Sequence, residues 1–354
     1  MSRARDFADL AGSSSNISTV AADSSNLDQV ATSYGAGGIT GKNLIINGSQ
    51  IVAQRGTSGT STADIYTTDR FAVGHGSPVN AMSFEQSTDA PENFKNSLKI
   101  TAGTGASAST TGYAILRQAI EGQNISHLGF GTSAAKALTL SFWVKSSLTG
   151  TFGVSVRNQA GTRAYGGTYS ISSANTWEYV TVSIPADTSG TWPTDTGVGL
   201  HLFWDLGAGS NYDIAAGSWT TGSNMFGVES TVKLTETTGA TFYITGVQLE
   251  VGEQATPFEH RSFGDELRRC QRYYQKFQAL VGNSTHAWQG GTGSSWSVLM
   301  PPVATRANPT MTTTPSSGSG ATWLTLGNTP AMTYYQEAAN SVNSGSTVTA
   351  DAEL

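Results

Sequence analysis

Few residues in this chain are spaced for catalysis. The five histidines, His75, His127, His201, His260 and His286, are scattered with no HExxH or other metal-ligand spacing. No GxSxG elbow, P-loop or strand-to-helix GxGxxG occurs, and the glycine cluster GGTGSS at 290–295 sits in polar loop text. Glycoside cleavage needs two carboxyl groups facing across a cleft roughly 5–10 Å apart. Asp187, Asp195, Asp205, Asp213 and Glu229 are acids in loop or strand-edge text, where solvation accounts for them without chemistry. No catalytic residue, cofactor or metal site is expected, and no ligand motif marks a calcium site among the loop carboxylates.

Saccharide binding suits the available residue types better. A sugar offers apolar C–H faces and many hydroxyls, so its sites pair an aromatic platform with Asp, Asn or backbone groups. Thr191 to Thr196 has that composition around Trp192, and Asp205 to Thr220 has it with Asn211, Tyr212, Asp213 and Trp219. Near the C-terminus, His286, Trp288, Trp296 and Tyr334 form a further group. Candidate glycan-binding residues are therefore Trp192, Asn211, Tyr212, Asp213, Trp219, Trp288 and Trp296; core packing and subunit contacts compete for each aromatic.

The elements that must position such residues are strands. The chain has 354 residues, 12% of them charged, with 41 glycines, a composition suited to short strands and turns in two or more domains. A net charge of -6 and a pI near 5.4 argue against a nucleic-acid partner, which would require a surplus of Lys and Arg along a groove. The single cysteine, Cys270, excludes an intramolecular disulfide and a Cys-based zinc site, and no segment approaches a membrane span.

From Asn43 onward apolar and polar positions alternate. Leu138, Leu140, Phe142 and Val144 share one face opposite Thr139, Ser141 and Trp143; Val180, Val182 and Ile184 oppose Tyr179, Thr181 and Ser183. Gly/Ser/Asn turns between such strands predict an antiparallel β-sandwich, of jelly-roll type for its size, over residues 39–260. Residues 261–278 read as a linking helix with Leu267, Cys270, Tyr274 and Phe277 in one apolar stripe. Its basic face, Arg268, Arg269, Arg272 and Lys276, offers partners either to neighbouring chains or within the subunit, and Phe258 and Phe263 are expected to hold the helix on the sandwich. Residues 279–354 return to short strands, a small β tip whose core is too modest to stand alone.

The first 38 residues differ in kind. DFADLA, NISTVA and NLDQVA repeat an apolar pattern every ten residues, so Phe7, Ile17 and Leu27 correspond, as do Leu10, Val20 and Val30. A ten-residue step turns the stripe by roughly 80° per repeat on a straight helix, too thin a face to bury within one chain. Residues 1–38 read as an assembly arm, or alternatively as a Ser-rich tail.

Local patterns also carry a family resemblance. NLIINGSQIVAQRGTS, YTTDRF, FYITGVQLEVGEQATPFEHRSFGDELRRCQRYYQKF and the ending ADAEL resemble tail-fibre, receptor-binding or minor structural proteins of tailed bacteriophages, over roughly residues 40–354. The resemblance implies a carbohydrate-module-like jelly roll, a CQRYY helix and a small C-terminal β domain. It further implies a homotrimeric virion appendage, made in the host cytoplasm without a signal peptide and mounted on other virion proteins through residues 1–38, with Arg268, Arg272 and the arm's apolar positions serving assembly. The expected function is non-enzymatic recognition of host-surface polysaccharide or lipopolysaccharide. A capsid decoration, head-fibre or connector role and a capsular depolymerase are the alternatives.

Overall fold

A computed structural model describes residues 41–61, 63–76, 81–106, 109–278, 302–314 and 347–354, together with the strand segments 295–299, 322–325 and 333–337. The chain divides into two units, Met1–Lys42 and Asn43–Leu354. The arm positions Phe7, Leu10, Ile17, Val20, Leu27 and Val30 lie outside the described residues, as do His286 and Trp288.

The second unit is mainly antiparallel β. In chain order its strands are β1 (Ser58–Ser61), β2 (Ile65–Tyr66), β3 (Ala72–Gly76), β4 (Met82–Ser87), β5 (Ser97–Ala102), β6 (Tyr113–Glu121), β7 (Leu138–Ser146), β8 (Gly150–Asn158), β9 (Arg163–Ile171), β10 (Glu178–Ile184) and β11 (Val198–Asp205). They continue with β12 (Asp213–Ile214), β13 (Trp219–Thr221), β14 (Gly227–Val228), β15 (Thr241–Val251), β16 (Tyr274–Gln278), β17 (Ser295–Leu299), β18 (Thr310–Thr314), β19 (Thr322–Thr325), β20 (Thr333–Glu337) and β21 (Thr347–Asp351). Helix α1 (Gly122–Ile125) follows β6, and α2 (Phe263–Gln271) precedes β16.

A six-stranded sheet, β1-β4-β5-β15-β7-β10, faces a seven-stranded one, β13-β9-β8-β11-β6-β3-β2. The alternation read from sequence explains the seam. Leu138, Leu140, Phe142, Val144, Val180, Val182 and Ile184 enter one core from the first sheet, and Leu116, Phe152, Val154, Leu200, Leu202 and Trp204 enter it from the second. This is the expected sandwich. β11 departs from simple alternation, since every one of its residues is buried. It lies centrally in its sheet, and residues 206–229 fold over its outer face, where Phe203 meets Ile115, Ala208 and Phe226.

Helix α2 is shorter than the 261–278 span the sequence suggests. Ser262 caps it, its hydroxyl accepting the Asp265 N–H at 3.2 Å. The helix stops at Gln271, and Tyr274 and Phe277 belong to β16, which pairs with β21. The i, i+3 spacing that suggested a helical stripe is thus shared between a helix and a strand. Leu267 and Cys270 do pack inward with Ile46, Val52 and Tyr273. Phe258 meets Phe94 at 5.1 Å between ring centroids, but Phe263 is 58% exposed and holds nothing down.

The segments carrying the family-like motifs meet in one buried polar joint. Asn43 donates to Val247 O and accepts the N–H groups of Ile45 and Leu249. The Gln118 side chain pairs with both the N–H and C=O of Ile46, at 2.9 Å each. Asn47, at φ 62°, donates to the carbonyls of Val52 and Asp69 and gives its own N–H to the buried carboxylate of Glu266 on α2. Arg261 caps the carbonyls of Asn43 and Ile45. Arg70 is 1% exposed, donates to Ala119 O, lies 3.6 Å from the Tyr273 ring and forms an ion pair with Glu353 in the final residues of the chain. Arg55 bridges Asp351 and Glu353 at 3.2 Å each. The C-terminal strands are therefore rooted on the sandwich at both ends, through β16 and through β21.

Two outcomes follow from this joint. Replacing Glu353 by Gln leaves the Arg70 guanidinium buried and without its ion-pair partner, a change expected to cost about 3–5 kcal/mol in denaturant unfolding; a loss below about 1 kcal/mol would contradict the assigned role. Gly48 approaches β15 so closely that a Cβ would fall 2.1 Å from Val247 O. Gly48→Ala should therefore destabilise by about 3 kcal/mol or more, read as a fall in Tm, and a variant as stable as the parent would place the loop elsewhere.

Candidate functional site

The outer face of the first sheet is half covered. Residues 252–261 cross it at one end, where Gln248 and Glu250 bond to Thr256 and Phe258 meets Phe94 and His260. The remaining face carries aromatic and cationic side chains in two rows set by strand register. In one row Tyr179 on β10 pairs with Trp143 on β7, which is followed by Thr245 on β15. In the next, Lys145 on β7, Tyr243 on β15, Lys99 on β5 and Glu85 on β4 lie side by side, with Trp177 just ahead of β10 at the Lys145 end. Neighbouring strands are about 4.8 Å apart, so the second row spans about 19 Å, the reach of a short oligosaccharide.

Geometry within the rows is fixed by contacts along the sheet. The Trp143 and Tyr179 rings are 5.3 Å apart and inclined at 52°; Trp177 and Tyr243 are 6.1 Å apart, edge to face. The Lys145 ammonium sits 4.4 Å from the Tyr243 ring and 5.3 Å from Trp177, and Lys99 lies 5.7 Å from Tyr243 on its other side. Asp89 accepts the Trp177 indole N–H at 3.1 Å and pairs with Lys145, whose ammonium holds the Asp89 carboxyl below the usual aspartate range. Gly246, at φ 61° in a β15 bulge, makes room: a Cβ there would fall 2.7 Å from Phe94 and 3.1 Å from Trp143. Tyr179 is 47% exposed, an unusual state for a large aromatic on a sheet face. Trp143, Trp177 and Tyr243 are half-buried, each with part of its ring open to solvent.

This arrangement can stack apolar ring faces and present charged or hydrogen-bonding groups beside them. Its signal was present in the sequence, because Trp143 and Tyr179 stand at outward positions of alternating strands. What the sequence did not give was the pairing of β7 with β10 that brings the two together.

The residues singled out from sequence are distributed otherwise. Trp192 is 7% exposed, edge-on to Phe130 and Trp219, with its indole N–H on Asp187 and Ser189 O. Trp219 comes to the same cluster from β13 and donates to Pro185 O, so two loops that looked separate meet. Trp192 is buried in packing at the sandwich edge, and Trp219 is half-buried beside it. Tyr212 stacks on Phe226 at 4.5 Å and donates to Thr111 O, while Asn211 is exposed. Asp213 pairs with Lys233 at 3.1 Å; burial nevertheless pushes its carboxyl up to about 6. The Trp296 and Tyr334 backbones lie in β17 and β20. Arg268 is exposed, whereas Arg272 clasps Glu121 within the subunit at 2.7 and 2.9 Å.

Four of the five acids considered for catalysis have structural partners, and Glu229 is exposed. Asp187 holds Arg163, and Asp205 accepts the N–H groups of Gly207, Ala208 and Val228 besides Lys233. Asp195 caps Gly197 N at 2.8 Å. Among the described residues no three His, Cys, Asp or Glu side chains converge on a metal-sized site, and no helix is long and apolar enough to cross a membrane.

No family model matches the chain and no curated protein matches it in sequence. Among solved structures it is similar to the enzymatically active domain of tailspike protein 4 of bacteriophage CBA120, at 15% identity and a TM-score of 0.28 over 60% of this chain and 22% of that one. It is also similar to the family 11 carbohydrate-binding module of a Clostridium thermocellum cellulosomal cellulase, at 15% identity and a TM-score of 0.28 over 56% of this chain and 98% of the module. The N-terminal cellulose-binding domain of Cellulomonas fimi β-1,4-glucanase C gives 13% identity and a TM-score of 0.25 over 49% of this chain and 88% of that one. The chain is a mainly antiparallel β protein built on two packed sheets.

Proposed function

We propose that this chain is a non-enzymatic glycan-binding component of a tailed-phage appendage, and that the Trp143, Tyr179, Trp177 and Tyr243 face contacts the saccharide. The observation that carries this reading is the open aromatic and lysine surface on the first sheet, with Tyr179 47% exposed. Burying those rings against sugar C–H faces removes apolar area from water, while Lys99, Glu85 and Asp89 stand where hydroxyls need partners. The phage setting rests on the sequence resemblance carried by the motifs NLIING, TTDRF, FEHR and CQRYY. A homotrimer mounted through residues 1–38 belongs to the same proposal.

The test uses the full chain on an array of host-surface polysaccharides and lipopolysaccharides. Trp143→Ala and Tyr179→Ala should each weaken the strongest signal by about tenfold or more, the equivalent of about 1–2 kcal/mol of stacking. Their Tm should remain close to that of the parent because neither ring fills the core. Variants that bind as well as the parent, or a properly folded parent that binds no cell-surface glycan, would overturn the proposal. New reducing ends released from a capsule by the parent chain would overturn its non-enzymatic part.

A further inference from the structure

The outer face of the second sheet carries a different chemistry. On β11, His201 stands between Arg157 of β8 and Ala119 of β6, and Phe203 stands between Ser155 of β8 and Arg117 of β6. Two guanidinium side chains thus flank one strand on the same face, one residue pair apart along it. Arg157 lies over the Phe203 ring at 4.9 Å and near Phe226 at 5.7 Å, the latter contributed by the segment that folds over this face. His201 stacks on Phe203 at 5.3 Å and 26°.

The polar inventory of this patch is incomplete. Arg157 Nε and His201 Nδ1 are buried and have no hydrogen-bond partner, and Arg157 has no carboxylate partner among the described residues. Arg117 pairs with Asp64 at 3.2 Å through one guanidinium nitrogen. His201 is 7% exposed, and burial, then Arg157 and Arg117, push its pKa down to about 3, so the ring is neutral near pH 7 and offers a hydrogen bond rather than a third charge. Burial, then Arg117, lower Arg157 to about 10. A half-buried guanidinium without a counter-ion is costly, so its persistence in the fold calls for an explanation.

We propose that Arg157, Arg117 and His201 form a binding site for an oxyanion, the carboxylate of an acidic sugar or a free sulfate or phosphate, on the sheet opposite the aromatic face. A planar carboxylate or a tetrahedral anion bridging the two guanidinium groups would receive charge-assisted hydrogen bonds from both and complete the bonding of Arg157. The site is independent of the aromatic platform, so each can fail without the other.

The experiment measures thermal shift and calorimetric binding of the full chain with sodium sulfate, with trigalacturonate and with its uncharged methyl ester, against sodium chloride at equal ionic strength. The parent should be stabilised more by an oxyanion than by the methyl ester, whose uncharged rings can engage only the aromatic face. Arg157→Met should abolish the response and Arg117→Gln should weaken it about tenfold. Ligand-free Arg157→Met should melt at a higher temperature than the parent, because it removes an unpaired buried charge; a merely structural arginine would give the opposite shift. A response to trigalacturonate alone assigns the anion to a saccharide, and a response to sulfate as well assigns it to a free oxyanion. Equal responses to chloride and all oxyanions, an Arg157→Met variant that responds like the parent, or a ligand-free Arg157→Met that melts lower would overturn the proposal.

Discussion

The fold depends on a constraint at one end of the sandwich, where irregular backbone must be buried. The loop from Asn43 to Arg55 runs inside, between β15, β6 and α2, so its peptide groups lose water and need protein partners. Buried polar groups without partners are costly, which explains why this short region gathers Asn43, Asn47, Gln118, Arg261 and Glu266, all buried or nearly so and all bonded to backbone. Arg70 extends the network to the last strand through Glu353 and Tyr273. Sandwich, helix and C-terminal strands are thus joined by polar complementarity, with a small apolar cluster of Ile46, Val52, Cys270 and Tyr273 beneath it.

That joint leaves the sheet faces available for other work. The second sheet is roofed by residues 206–229, tied down by Asp205 and Lys233 and by Phe226 against Phe203 and Tyr212. The first sheet keeps part of its outer face open, and there the sequence places Trp and Tyr where a purely structural strand would carry Thr or Ser, as Thr181 and Ser183 do beside Tyr179. Lys145 and Lys99 lie over the Tyr243 ring and set charge beside the aromatic face.

Period-two alternation made β7 and β10 legible residue by residue, because a one-residue slip would expose Phe142 or Val180. Helix α2 was legible only in its first half; beyond Gln271, Tyr274 and Phe277 satisfy a helical spacing and a strand equally well, and the partner strand β21 lies more than seventy residues away in sequence. Trp192 and Trp219 looked like loop aromatics because nothing local reveals that their loops meet over Phe130. Trp143 and Tyr179 were visible as outward positions, but their union needs the register between two strands. Arg157 and His201 gave no signal at all, since cross-strand neighbours on β8 and β11 are invisible to local pattern.

The central claim is that saccharide lies on the open aromatic face of the first sheet and not on the Trp192 and Trp219 cluster at the sandwich edge. Indole N–H resonances report this directly. Titrating the full chain with a host-surface oligosaccharide should shift the Trp143 and Trp177 side-chain signals and leave those of Trp192 and Trp204 in place. Movement of Trp192 and Trp219 with Trp143 and Trp177 unchanged would contradict the account.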